Sequence, residues 1–237
     1  MIDFRSRLLA TLHRLAPVFE EGGVMVVGSQ VPNLLQPGVA STLVVSQDVD
    51  VGIPVERLAA VKERLAGVDG LRPSPEEPSV WVPESPGLLE VNFLGLDRAT
   101  RGPADTYVLD DPDLPLMVFG LLSLLEPGPR VDAEGLEVPL PRPAGLLLEK
   151  LATERSGEKG DRDLLVALGL LLVAAPADLD EAEQRYRSLD PELRHTVRSN
   201  LATLALLPPR AEMPDPRPHR ERVAALLDRL ERHEVER

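Results

Sequence analysis

The amino-acid sequence predicts an α+β fold, a mixed sheet flanked by helices, followed by a C-terminal helical domain. Two observations carry this. Up to about residue 140, short apolar runs bounded by glycine and proline alternate with stretches of helical period. Beyond Pro141-Arg142-Pro143 the apolar residues recur at helical spacing alone. The expected division is therefore a mixed core over 1–140 and a helical domain over 141–237. With 237 residues, 43% of them hydrophobic, the chain is long enough to bury a core in each part.

The elements follow in order. Within residues 3–19, Phe4, Leu8, Leu9, Leu12 and Leu15 share one helical face, and Gly22-Gly23 ends that segment. Val24–Val27 is a continuous apolar run, the pattern of a buried strand, and Gly28-Ser29 follows it at once. A second strand is expected over Thr42–Val51. Pro54 then opens a helix to about Gly67, with Val55, Leu58, Val61 and Leu65 turned inward. Ser79–Val82 and Leu88–Leu94 read as strands on either side of a proline-rich turn. In 101–140 several proline-bounded apolar pieces leave strand and helix both open. Five helices are expected after that: Ala144–Glu154, Asp161–Ala174, Leu179–Ser188, Pro191–Leu206 and Arg217–Glu236.

Composition narrows the chemistry. There is no cysteine, which excludes disulfides, thiolate zinc sites and cysteine nucleophiles. Aromatic residues are 3%, so the core must be built from leucine, valine and alanine. The net charge is −13, and residues 1–140 hold 10 Lys/Arg against 21 Asp/Glu. Such a surface repels phosphates unless a metal intervenes, which argues against a generic nucleic-acid groove. The uncharged run Leu164–Pro176 is shorter than the ~20 residues of a spanning helix. Arg5, Arg7 and Arg14 interrupt the start of the chain. No membrane partner and a cytoplasmic setting are the expectation. Arg185, Arg187, Arg194, His195 and Arg198 form a basic concentration, but Glu181, Glu183 and Glu192 dilute it, which favours surface ion pairs over RNA contact.

The informative stretch is VMVVGSQ at 24–30 followed by STLVVSQDVDVGIP at 41–54. On an extended strand Thr42, Val44, Ser46, Asp48 and Asp50 share one face, while Leu43, Val45, Val49 and Val51 share the other. Asp48 and Asp50 then point the same way, about 7 Å apart along the strand. Neighbouring carboxylates repel unless something positive lies between them. Mg²⁺ (or Mn²⁺) suits that place, because it prefers hard oxygen ligands and accepts substrate phosphates in its shell. Gly28 permits a tight turn and close approach of a ligand to the backbone. Ser29 is expected to open a helix near Val31, with its hydroxyl and the first free N–H groups toward an anion. Bound phosphates and a metal would suit attack on a phosphorus centre.

Gly28-Ser29, a spacer, then Asp48-Val49-Asp50 resembles the Gly-Ser…Asp-x-Asp motif of the DNA polymerase β-like nucleotidyltransferase superfamily, with the bacterial minimal and AbiEii-type members the nearest in pattern. The stretch PRPAGLLLEKLATERSGEKGDRDLLVAL at 141–168 is similar to that family's lysine-bearing helix, basic loop and aspartate-opened helix. The resemblance implies a nucleotidyltransferase-like core with Asp48, Asp50 and a third acid as catalytic and metal-binding residues. It also implies that Gly28, Ser29, Lys150 and Asp163 bind an NTP. The third acid falls on LLEVNFLG at 88–95, where Glu90 and Asn92 share a face; Glu90 completes the acidic set, whereas Asn92 leaves a charge missing. The spacer between Ser29 and Asp48 is longer than the family's commonest form.

The implied reaction is transfer of a nucleoside monophosphate from an NTP to an acceptor, which is RNA, a protein or a small molecule. The toxin-like members of the family, known from toxin–antitoxin pairs, point to RNA. The acidic 1–140 region suits a cationic small molecule better. The alternative is a non-catalytic nucleotide-binding or partner-binding module that kept the fold, a reading that Asn92 would suit. Two bland readings stand beside the site assignments. Asp161 and Asp163 would cap and charge a helix start, and Lys150 would reach out from an apolar helix.

Overall fold

The computed structural model describes residues 3–35, 46–154, 157–209 and 215–235. The first four residues of the second expected strand, 42–45, lie outside the described residues. The described chain forms two compact units, one of 3–35 and 47–141, the other of Ser46 and 142–235.

The first unit is a mixed sheet with helices. Helix α1 (Phe4–Arg14) starts where Asp3 accepts the Ser6 N–H at 2.9 Å, and it stops before Pro17. Strand β1 (Met25–Val27) pairs antiparallel with β2 (Asp48–Pro54), the last pair being Val27 with Asp50. Helix α3 (Leu58–Leu65) follows β2 after one tight turn over Val55–Arg57, and its Leu58, Val61 and Leu65 are buried as the sequence predicts. Helix α2 (Val31–Leu35) is a short piece before it in the chain. Strands β3 (Leu71–Pro73), β4 (Val80–Pro83) and β5 (Glu90–Leu96) complete the main sheet, whose order is β1-β2-β5-β4-β3. The three-residue β3 was not visible in the sequence, being too short to show alternation.

The pairing of β2 with β5 is parallel and in register over seven residues, from Asp48 opposite Glu90 to Pro54 opposite Leu96. The other edge of β5 is shared. β4 takes Val91 and Asn92, and β7 (Leu116–Val118) takes Leu94 and Gly95. Strand β6 (Tyr107–Leu109) pairs with β7, and β8 (Pro127–Asp132) with β9 (Glu137–Pro141) forms a separate two-stranded sheet. The segment whose type the sequence left open thus holds four short strands separated by turns and loops.

Alternation on β2 and β5 sets the two faces of the sheet. Val49, Val51, Ile53, Val91 and Phe93 are buried on one, at about 1.5–3 kcal/mol per side chain. Asp48, Asp50 and Asn92 lie half-buried on the other. Trp81 on β4 meets Phe93 edge to face, with ring centroids 5.8 Å apart. The buried hydroxyl of Thr11 ties α1 to the chain entering β5. It accepts the Leu89 N–H at 2.8 Å and donates to the Arg7 carbonyl at 2.8 Å. Arg7 in turn donates to the Leu88 carbonyl.

In the second unit, α4 (Pro143–Ala152) is central and buries nine of its ten residues. Around it pack α5 (Gly157–Val173), α6 (Pro176–Ser188) and α7 (Pro191–Leu206), with α8 (Arg220–Val235) against α7. Asn200 on α7 donates to the Leu151 and Thr153 carbonyls, satisfying acceptors at the end of α4. Arg185 pairs with Glu181 at 2.7 Å, and Arg187 pairs with Glu183, so two of the clustered arginines are engaged in ion pairs on α6. No helix among the described residues is long and apolar enough to cross a membrane.

Thr11→Val leaves the Leu89 N–H without its acceptor. Urea unfolding should show a loss of about 1–3 kcal/mol. A second test concerns Lys62 on α3, which contacts Asp111 at 2.8 Å and Asp113 at 2.7 Å. The hydrogen bond from Lys62 holds the Asp111 carboxyl below the usual carboxylate range. A depressed folded-state pKa stabilises the fold above the unfolded value of about 3.9, and that contribution is lost as pH falls through the lower folded value. Asp111→Asn should therefore lower stability at pH 7, with the gap to wild type closing in acid titrations as pH falls below the usual carboxylate range.

Candidate functional site

The site is built where β1 ends beside β2 and β5. At the end of β1 the chain turns through Gly28–Gln30, and Gly28 has a φ of +72°. A side chain there would collide with Asp50, since a Cβ on Gly28 would lie 2.3 Å from Asp50 Oδ2. Both the backbone conformation and the closeness of the carboxylate require glycine. The Gly28 turn and Asp50 are thereby in direct contact, as the sequence reading expects.

Asp48 and Asp50 share the open face of β2, and Asn92 on β5 stands level with Asp50. The Asn92 side-chain amide donates to Asp48 Oδ2 at 2.9 Å and to Asp50 Oδ1 at 3.1 Å. One neutral amide bridges the two acids, so the expectation that only a cation could lie between them is corrected. The amide's N–H dipoles point at both carboxylates and offset their repulsion. The other Asp48 oxygen, Oδ1, is buried and has no hydrogen-bond partner. Glu90 stands opposite Asp48 in the register and is exposed at the start of β5. Asn92 is therefore the neighbour of both aspartates, with Glu90 one position further out on the same face.

A helix opens at Val31, as the sequence predicts, and five of its residues, Val31–Leu35, are described. Ser29 is buried in the turn before it, and its hydroxyl accepts from Gln30 Nε2 at 3.1 Å. Gln30, fully buried, also donates to the Asp48 carbonyl at 3.0 Å and accepts from Asn33 Nδ2 at 3.0 Å. Sequence reasoning missed Gln30 and Asn33. The available signal was two amide side chains in an otherwise apolar run.

Lys150 and Asp163 come together within the helical unit. Lys150 Nζ on α4 lies 3.1 Å from Asp163 Oδ1 on α5 and 3.2 Å from Glu149 Oε2, and all three side chains are nearly buried. A lysine flanked by two carboxylates contributes no net positive charge from that group. Because α5 already runs from Gly157, Asp161 and Asp163 lie inside it, and the reading of them as helix caps is corrected.

A divalent cation has a plausible donor set at the first unit's site. Mg²⁺ is commonly held by one or two carboxylates while substrate phosphates and waters fill the rest of its shell. Asp48, with its unpartnered buried oxygen, and the adjacent Asp50 fit that description. A complete protein cage is absent: no group of three or more Asp, Glu, His or Cys among the described residues is placed to hold a metal.

No protein-family model matches the chain, and no curated protein matches it. Among solved structures it is similar to an antigenic nucleotidyltransferase-like protein from Paracoccidioides brasiliensis. The TM-score is 0.45 and the identity 14%, over 94% of this chain and 92% of that one. At that distance the site has to be argued from its own residues.

Gly28→Ala places a methyl group against the Asp50 carboxylate in a strained backbone region. A loss of about 1–3 kcal/mol is expected in thermal unfolding. Lys150→Met removes the cation beside two nearly buried acids in the helical unit and should cost about 3–5 kcal/mol. Adding Glu149→Gln and Asp163→Asn should recover part of that loss.

Proposed function

We propose that the chain binds an NTP together with Mg²⁺ or Mn²⁺ at Asp48 and Asp50, and transfers the nucleoside monophosphate to an acceptor. The observation that carries this reading is the pair of same-face aspartates beside the Gly28 turn, one with a buried oxygen lacking any partner. A bound divalent cation would supply charge neutralisation for the triphosphate. Asp48 and Asp50 would hold it, and the Gly28-Ser29 turn would face the polyphosphate. The acceptor's nucleophilic atom attacks the α-phosphorus, the bond to the bridging oxygen of the β-phosphate breaks, and pyrophosphate leaves. Glu90, exposed on the same face, aligns the acceptor or takes its proton. Lys150 and Asp163 enter this reading as the ion pair fixing α4 against α5 rather than as triphosphate ligands.

The acidic 1–140 region favours a cationic small molecule as acceptor over RNA. The two differ in the steepness of their salt dependence. An RNA acceptor would bind more weakly as salt rises, in proportion to the phosphates neutralised, whereas a steep loss of that kind through phosphate contacts is not available to a cation.

A second reading is a nucleotide-binding module without turnover, and a specific observation favours it. Asn92 stands beside both aspartates, where an acid would add a third negative charge. Titration with Mn²⁺ and a non-hydrolysable NTP, run beside a label-transfer assay, separates the readings. Metal-dependent binding with transfer supports the enzyme, and binding without transfer to RNA, protein or small acceptors supports the module. Asp48→Ala with Asp50→Ala should reduce Mn²⁺ affinity at least 10-fold while thermal unfolding stays cooperative. Asn92→Asp should raise it, because a third carboxylate joins the cluster.

A further inference from the structure

Asp48 lies two residues beyond the last rung of the β1–β2 ladder, which ends at Val27 opposite Asp50. On its β5 side the backbone is held by the parallel pairing with Glu90. Beyond the ladder's end a side chain reaches the same residue: Gln30 Nε2 donates to the Asp48 carbonyl at 3.0 Å. The same nitrogen reaches Ser29 Oγ at 3.1 Å, and Gln30 Oε1 is fixed by Asn33 Nδ2 at 3.0 Å. Gln30 is fully buried, so these bonds do not compete with water.

We propose that Gln30 is a positioning residue for Asp48. It spans from the Gly28 turn to the backbone of the acid, coupling the two parts of the site that would face the polyphosphate and the metal. This rests on the metal-binding reading of Asp48 and Asp50. The physical argument is general: residues behind a ligating group that fix its orientation typically alter metal affinity by 10- to 100-fold when replaced. Here the restraint acts on the main chain of Asp48, so losing it frees the strand end to rotate the carboxylate away from Asp50. Gln30 is fully buried, and the role proposed for it is orientation.

The test uses the full chain without nucleotide and reads free Mn²⁺ by electron paramagnetic resonance. Gln30→Met keeps the length and apolar fit but removes both donated bonds. Gln30→Glu keeps the shape and turns the donor into an acceptor facing the Asp48 carbonyl, and it serves if the first variant folds poorly. Asp111→Asn, which removes the ion pair with Lys62 and is destabilising in its own right, controls for stability. About a tenfold weaker Mn²⁺ affinity is expected in the Gln30 variants, with Asp111→Asn unchanged. If the Gln30 variants bind Mn²⁺ as wild type does, or lose affinity only as much as Asp111→Asn, the positioning role is wrong. If wild type does not bind Mn²⁺, or Asp48→Asn leaves its affinity unchanged, the reading beneath it fails and takes this inference with it.

Discussion

Two carboxylates on alternate residues of one strand crowd each other, and in this protein the side-chain amide of Asn92 lies between them. The rest of the first unit serves that contact. The parallel register of β2 with β5 brings Asn92 level with Asp50, and the left-handed turn at Gly28 leaves room for the Asp50 carboxylate. Thr11 and Arg7 fix the chain as it enters β5, and thereby the strand that carries Asn92. Gln30 reaches across to the backbone of Asp48. Buried valines on the opposite face of the same strands give the sheet the rigidity that such an arrangement needs.

A hydrogen bond to a charged group contributes about 1.5–3 kcal/mol, so the two bonds from Asn92 offset part of the repulsion between the acids. A divalent ion offers them far more electrostatic attraction, and the same amide can present its oxygen instead of its nitrogen by turning about its last torsion. Asn92 would thus be compatible with the proposed cation, to which it could offer a neutral oxygen. The amide leaves the cluster one negative charge short of a three-acid site, so the bound cation would depend more heavily on substrate phosphates.

Much of this was legible in the sequence because it rests on period and order. The alternation of Asp48, Val49, Asp50 and Val51 assigns the two faces of β2, and the run Val24–Val27 followed by Gly28 places the turn. The helices after residue 142 match their apolar spacing to within a few residues. What escaped depends on contacts between distant residues. Which of Glu90 and Asn92 stands level with Asp50 is set by the β2–β5 register, and a two-residue slip would exchange them. Gln30 looked like an ordinary polar residue because its partner, the Asp48 carbonyl, is 18 residues away. Asp163 suggested a helix start until α5 proved to run from Gly157, with Lys150 as its partner. Ser29 is polar in sequence yet buried, its hydroxyl taken by a neighbouring side chain.

The most direct measurement is a crystal structure of the chain with Mn²⁺ and a non-hydrolysable NTP, using anomalous scattering to locate the metal. The account predicts a peak about 2.0–2.3 Å from oxygens of both Asp48 and Asp50, with the Asn92 amide nitrogen turned away from them. A nucleotide bound elsewhere, or acids still bridged by the Asn92 amide with no metal beside them, would contradict it.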